Sequence, residues 1–301
     1  MTPSLRARIA TLMVRLVAPH PLPADPESIV RVTRARWGLP ALLGYLLSRG
    51  VAIREIESPS PGEWIHAGSN VPVILYFHGG GYVACSPRTH RSITAALAKR
   101  LRARVFAPDY RLAPEFPFPA ALDDALQSYR WLLDQGIPPG AIALAGDSAG
   151  GGMVLATLLR IRDAGLPVPG CGVCFSPWTD MLGSGPSILA NAATDFLLQP
   201  EDVPRFARLY LGGAEPKDPF ASPVYADLRA LPPLLIQVSD SEILLDDARA
   251  IHRRCQQAEV ASTLSTYHGL PHVWQLLGPW VPESRRALDE AADFIRHHLG
   301  D

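Results

Sequence analysis

"AIALAGDSAGGG", residues 141–152, reads as a short apolar strand that runs at once into a glycine-flanked serine and then into a helical pattern. Gly146, Ser148 and Gly150 stand in G-x-S-x-G order between the two. A strand-to-helix turn of this kind can hold a serine hydroxyl exposed above a sheet edge, and the flanking glycines are needed because side chains there would clash with the neighbouring helix and strand. The helix N-terminus behind the serine favours negative charge. By itself G-x-S-x-G is a weak signal, since both residue types are common in loops. Its place between strand and helix makes Ser148 the candidate nucleophile.

Outward from this turn the same alternation continues. Apolar runs stand at 71–77, 104–109, 172–176 and 234–239, with "STLSTY" (262–267) a weaker one. Their character is continuous, as in strands covered on both faces, so they predict a mainly parallel sheet. Helical patterns at 88–102, 119–136, 149–163, 244–258 and 283–299 fall between or after them. Strand then helix, repeated, predicts a doubly wound α/β architecture. "VAIREIE" and "EWIHA", joined by the turn-rich "SPSPG", add an antiparallel opening and bring the sheet to about eight strands. Two regions break the alternation: residues 1–50, helical without a strand, and the Pro- and Gly-rich insert 178–230. Long excursions at strand ends usually build binding sites. The division expected is an N-terminal helical cap (1–50) and a catalytic domain (51–301) whose insert 178–230 contributes to the cap.

Composition removes several function classes. The chain has 301 residues, 48% of them hydrophobic, and 28 basic against 29 acidic side chains give a net charge of −1. A chain built to neutralise phosphates or lie on an anionic membrane needs a basic excess, so no nucleic-acid partner is expected. Residues 1–20 interleave apolar and basic positions, with Arg15 inside the apolar run. This suits an amphipathic helix better than an export signal or a span, so stable membrane insertion is not expected and a cytoplasmic location is the default. The four cysteines show no disulfide framework. Cys171 and Cys174 form a lone C-x-x-C inside a predicted strand, without a second pair to complete a zinc set, and read as buried strand residues. Neither a metal site nor a cofactor is expected.

A second signal is "YFHGGGY" (76–82), which closes an apolar strand with three glycines. Such a loop can bring backbone N–H groups close to a ligand, the geometry of an oxyanion hole. A phosphate loop would continue into Lys-Ser/Thr, which is missing here. A nucleophile at Ser148 also needs an acid and a histidine later in the chain. His268 and His272, in "YHGLPHVWQ", both follow the last strand. Spacing alone does not separate them, although the Gly-Leu-Pro turn before His272 favours it.

"HGGGY", "DYRLAPEFPFPAALDDA", "GDSAGG", "SPWTD" and "LPHVW" together resemble, in order and spacing, the bacterial hormone-sensitive-lipase family (family IV) of esterases and lipases within the α/β-hydrolase fold. The resemblance runs from about residue 50 to the C-terminus. It implies Ser148 as nucleophile and His272, ending "GLPH", as the catalytic histidine. It further implies oxyanion donors at the backbone of Gly80, Gly81 and Ala149, with His78 ordering the glycine loop. Members commonly carry Asp-Pro-Leu-x-Asp-Glu after the penultimate strand, and in "VSDSEILLDD" (238–247) this match puts Glu242 at the acid position. Glu is admissible, since the acid only holds the imidazole tautomer and stabilises the imidazolium. Asp240 is the runner-up, because in an extended segment both would point the same way. Asp246 and Asp247 read as first-turn carboxylates of the following helix.

Asp109, Tyr110 and Arg111 read as a buried network anchoring a loop, with Glu115 the partner of Arg111. Tyr82, Trp178 and Trp274 are substrate-pocket candidates, with core packing the alternative for the two tryptophans. The expectation is a serine carboxylesterase acting on short- to medium-chain acyl esters through an acyl-enzyme. A lactone or acetyl-ester hydrolase of one metabolite remains open, since the same triad would serve. The competing class is a non-catalytic small-molecule-binding protein, as plant hormone receptors resembling this family lose the triad histidine. The last helix has apolar residues enough to pack on its own sheet, and a homodimer face on it stays open.

Overall fold

The computed structural model describes residues 2–17, 22–23, 25–37, 48–68 and 72–299. Val71 of the expected first parallel strand, and residues 18–21, 24 and 38–47 of the expected N-terminal cap, lie outside them. Among the described residues eight strands form one sheet: β1 (Ala52–Ile56), β2 (Gly62–His66), β3 (Val73–Phe77), β4 (Arg104–Pro108), β5 (Ile142–Asp147), β6 (Cys171–Phe175), β7 (Leu234–Ser239) and β8 (Ser262–Tyr267). Their spatial order is β1-β2-β4-β3-β5-β6-β7-β8. The β1–β2 and β2–β4 pairs are antiparallel and the rest are parallel. Every residue of β3, β5, β6 and β7 is buried, which is why these runs are continuously apolar in sequence. No residue of β8, at the edge, is fully buried, and its sequence signal is correspondingly weak.

The helices are α1 (Leu5–Val17), α2 (Pro26–Trp37), α3 (Arg91–Leu101), α4 (Ala120–Asp134), α5 (Ala149–Asp163), α6 (Ser187–Ala190), α7 (Asp202–Leu211), α8 (Leu245–Gln257) and α9 (Pro282–Leu299). Side chains alternate across each strand, so Leu75 and Phe77 enter one core with α4, α5 and α8, while Ile74 and Tyr76 enter another with α3 and α9. The result is a sheet covered on both faces.

This alternation also disposes of the C-x-x-C pair. Cys171 lies in the α9-side core and Cys174 in the α5-side core, so the two thiols stand on opposite faces of the sheet. Burial pushes the Cys171 thiol up to about 12, and it raises Cys174 as well.

A smaller cluster centres on Trp274, which packs with Ala7 and Ala10 of α1 and Ala287 of α9. Ser4 donates from its N–H and its hydroxyl to Glu283 at 2.7 and 2.8 Å, fixing the start of α1 to α9. The N-terminal helix is thereby held beside the C-terminal ends of the parallel strands, where α/β sheets place their ligands.

Candidate active site

Ser148 is the residue between β5 and α5, with φ 54° and ψ −122°. That sparsely populated backbone costs about 1–3 kcal/mol and persists only where the surroundings enforce it. Here they do so through three backbone bonds: Ser148 N–H to Phe175 O at 2.8 Å, and Trp178 N–H and Gly152 N–H to Ser148 O at 2.9 and 3.1 Å. A Cβ on Gly146 would lie 2.4 Å from Gly150 O, and one on Gly150 only 2.1 Å from Phe77 O. Both glycines are therefore required by the closeness of helix and strands.

His272, in the loop after β8, brings Nε2 to 2.9 Å from Ser148 Oγ and Nδ1 to 2.6 Å from Glu242 Oε2. Glu242 is fully buried, and its other oxygen accepts hydrogen bonds from Ser176 Oγ at 2.7 Å and Ser239 N–H at 2.8 Å. Burial alone would push the His272 pKa down. The charge and hydrogen bond of Glu242 outweigh it and hold the imidazole above its ordinary value.

Asp240, the runner-up acid, takes another partner: its carboxylate meets His268 Nδ1 at 2.6 Å and accepts Gly269 N–H at 2.9 Å. The chain turns after Ser239, with Glu242 N–H bonded to Ser239 O, so the two acids do not share the parity of an extended strand. The turn aims Glu242 inward and leaves Asp240 with His268, whose side chain is 60% exposed.

The glycine loop follows β3. Gly80 and Gly81 have φ of 114° and 61°, and a Cβ on Gly80 would lie 2.2 Å from Ala84 O. The N–H groups of Val83 and Ala84 bond to Gly80 O, so the loop closes through that carbonyl. His78 donates from Nδ1 to Gly79 O at 2.7 Å and stacks on Tyr110 at 4.2 Å, while Tyr110 OH donates to His78 O at 2.7 Å. Burial pushes the His78 pKa down to about 3, so the ring is a neutral brace for the loop.

Gly80, Gly81, Ser148 and His272 open on one cavity of about 550 Å³. Its far walls are mainly apolar, from Met13 and Val14 of α1, Trp37 of α2, and Leu197, Leu198 and Phe206 of the insert. Ala149, fully buried, begins α5 directly behind Ser148.

Residues 74–276 match the alpha/beta hydrolase fold family. The chain is 45% identical over 240 residues to an acetyl-hydrolase of Streptomyces hygroscopicus, covering 79% of this chain and 80% of that one. It is 37% identical over 235 residues to an esterase of Acinetobacter venetianus, covering 77% and 78%. The crystal structure of an esterase from the bacterial hormone-sensitive lipase family is similar with a TM-score of 0.92 at 42% identity, over 100% of both chains. The chain belongs to the bacterial hormone-sensitive-lipase family. Carboxylesterase is the enzyme class that goes with this membership.

In this hormone-sensitive-lipase family member, the expectations for Tyr82 and for the Asp109–Arg111 network need correction, the core alternative holds for Trp274, and Asp246 and Asp247 do more than expected. Of the pocket aromatics only Trp178 lines the cavity. Tyr82 is buried and stacked on Tyr210 at 3.7 Å, and Trp274 is fully buried against Tyr267, so both are core residues. Arg111 pairs with Asp124 at 2.7 Å, one helical turn into α4, and Glu115 pairs with Arg34 of α2 at 2.7 Å. Both Asp109 and Arg111 are exposed, so Tyr110 is the only buried member of that expected network. Asp246 and Asp247 do begin α8, yet they also hold the insert. Asp247 accepts the N–H groups of Thr179 and Asp180 at 2.7 and 2.9 Å, and Asp246 accepts Ser187 N–H at 2.8 Å.

One buried cluster was given no role by the sequence. Asp147, just before Ser148, accepts Tyr76 OH at 2.6 Å and lies 3.1 Å from His90 Nε2, whose Nδ1 is 2.8 Å from Thr89 Oγ1. Burial would raise the Asp147 pKa, but His90 and the Tyr76 hydroxyl hold it below the ordinary value. A Cβ on Gly79 would lie 2.3 Å from Asp147 Oδ2, so this carboxylate occupies the space the glycine vacates. Among the described residues no group of three or more His, Cys, Asp or Glu is placed to hold a metal ion, and no helix is long and apolar enough to cross a membrane.

Proposed function

We propose that the protein hydrolyses short- to medium-chain acyl esters through an acyl-enzyme, with Ser148, His272 and Glu242 as the catalytic triad. The observation that carries this is the continuous line from Ser148 Oγ to His272 Nε2 (2.9 Å) and from His272 Nδ1 to Glu242 (2.6 Å), opening on an apolar cavity. Ser148 Oγ attacks the ester carbonyl carbon while His272 Nε2 takes its proton, and the imidazolium gives that proton to the departing alcohol oxygen. Water then adds to the acyl-enzyme by the same route, and the carboxylic acid leaves Ser148. The N–H groups of Gly80, Gly81 and Ala149 receive the oxyanion, each donor being worth on the order of 10²–10³ in rate. Glu242 keeps Nδ1 protonated, so that Nε2 is free to accept.

α1, α2 and the insert act as the cap. Together they bound a cavity of about 550 Å³, inside the range usual for small-molecule sites. The Streptomyces relative is called an acetyl-hydrolase, which supports the short end of the range. A position for His272 within hydrogen-bond reach of Ser148 favours catalysis over binding alone. The test is kcat/KM on p-nitrophenyl esters from acetyl to palmitoyl. A maximum among the short and medium chains with a steep fall beyond is expected, and a flat series would refute the capped-cavity reading.

A further inference from the structure

The loop carrying Glu242 is gripped by one short segment of the insert. Asn191 Nδ2 donates to the carbonyls of Asp240 and Glu242 at 2.8 and 2.7 Å, and Thr194 Oγ1 donates to the carbonyl of Ser241 at 3.0 Å. Asp195 Oδ2 accepts Ile243 N–H at 3.0 Å. Three consecutive carbonyls and the next N–H are thus all held by residues 191–195. The second oxygen of Asp195 accepts the N–H groups of Leu197 and Leu198 at 3.0 and 3.1 Å, and these two residues line the cavity. Asp195 therefore ties the cavity wall to the acid loop.

This carboxyl group is buried, at 4% exposure, and it lies close enough to Glu242 and His272 to interact with both electrostatically. Burial pushes its pKa up to about 6, even though the hydrogen bonds from Ile243 and Leu198 and the His272 charge pull the other way. The charged groups acting on His272 are Glu242 from the loop after β7, Asp195 from the insert and Asp147 from the end of β5. A glutamate has one more rotatable bond than an aspartate to order against entropy. Its backbone must be held correspondingly well, since catalytic geometry tolerates about 0.5 Å of displacement.

Building on the triad reading above, we propose that Asp195 is a positioning residue for acyl transfer, setting the acid loop so that Glu242 meets His272 Nδ1 and adding a second negative charge that favours the imidazolium. The experiment compares Asp195→Asn and Asn191→Ala with the wild type on p-nitrophenyl butyrate. Reactive serines are first counted with a p-nitrophenyl alkylphosphonate, so that each kcat refers to competent sites. Asp195→Asn is expected to lower kcat by about tenfold or more with little change in KM, as for loss of a group that orients another. It should also move the acid limb of kcat/KM to lower pH, because a charge that stabilises protonated His272 is gone. Asn191→Ala, which keeps that charge, should lower kcat and leave the limb in place.

Wild-type kcat and pH limb in Asp195→Asn would overturn the proposal, as would losses in both variants fully explained by fewer reactive sites. A wild type whose Ser148 takes no phosphonate would overturn the triad reading itself, and this inference with it.

Discussion

Replacing Glu242 by Gln preserves volume and shape while changing what His272 faces. The carbonyl of the new amide would take the place of Oε1, accepting from Ser176 Oγ and Ser239 N–H, which now donate at 2.7 and 2.8 Å. Its NH₂ group would then point at His272 Nδ1, 2.6 Å from the present Oε2. Two donors cannot face each other, so the imidazole must put its proton on Nε2, the atom 2.9 Å from Ser148 Oγ. A protonated Nε2 cannot accept the serine proton. The expected fall in kcat is about 10⁴-fold, the size of a wrong-tautomer effect in a serine triad. It corresponds to about 5.4 kcal/mol of lost transition-state stabilisation. The same change removes the charge that holds the His272 pKa up, so the residual activity should have its acid limb at lower pH. The assay is kcat/KM on p-nitrophenyl butyrate from about pH 5 to 9, bracketing the ordinary histidine value of about 6.5. A loss below about tenfold would refute the reasoning, because an acid whose charge and tautomer control are dispensable is not a triad member.

Three further outcomes follow from the geometry. Asp240→Asn should leave kcat/KM near wild type and change stability by no more than about 1 kcal/mol, since the pair with His268 is largely exposed. Kinetics and thermal melting check both. Gly150→Ala should destabilise the fold by at least about 1–3 kcal/mol, because its Cβ would sit 2.1 Å from Phe77 O, as urea unfolding would show. Asp247 has its carboxyl pushed by burial from 3.8 up to about 7. The folded chain then holds this proton more tightly than the unfolded chain, so the stabilisation is full below about pH 4 and is lost as pH rises to about 7. Asp247→Asn should remove that component, so the Tm of wild type minus that of the variant should fall across this window.

What could be read from sequence divides along physical lines. β3, β5, β6 and β7 were legible because full burial leaves a continuous apolar run, whereas β8, half-exposed at the edge, left only a faint one. The turn at Ser148 was legible because packing demands glycine at 146 and 150, and such a demand writes itself into residue type. Choosing Glu242 over Asp240 needed the family resemblance, since the reason lies in a turn after Ser239 that no local pattern announces. Tyr82 was misplaced, and Trp178 and Trp274 could not be told apart, because an aromatic side chain in a core and one on a pocket wall look alike in sequence. The His90–Asp147 pair and the Asn191–Glu242 contact join residues 57 and 51 positions apart, so only the folded chain brings them together.

The most direct test of the acyl-transfer account is to identify the residue modified by a p-nitrophenyl alkylphosphonate, by mass spectrometry of the intact protein and of its peptides. One adduct per chain on Ser148 is expected, with release of one equivalent of nitrophenol, parallel loss of esterase activity, and no adduct in Ser148→Ala. A stoichiometric adduct on another residue that abolishes activity, or esterase activity undiminished in Ser148→Ala, would contradict it.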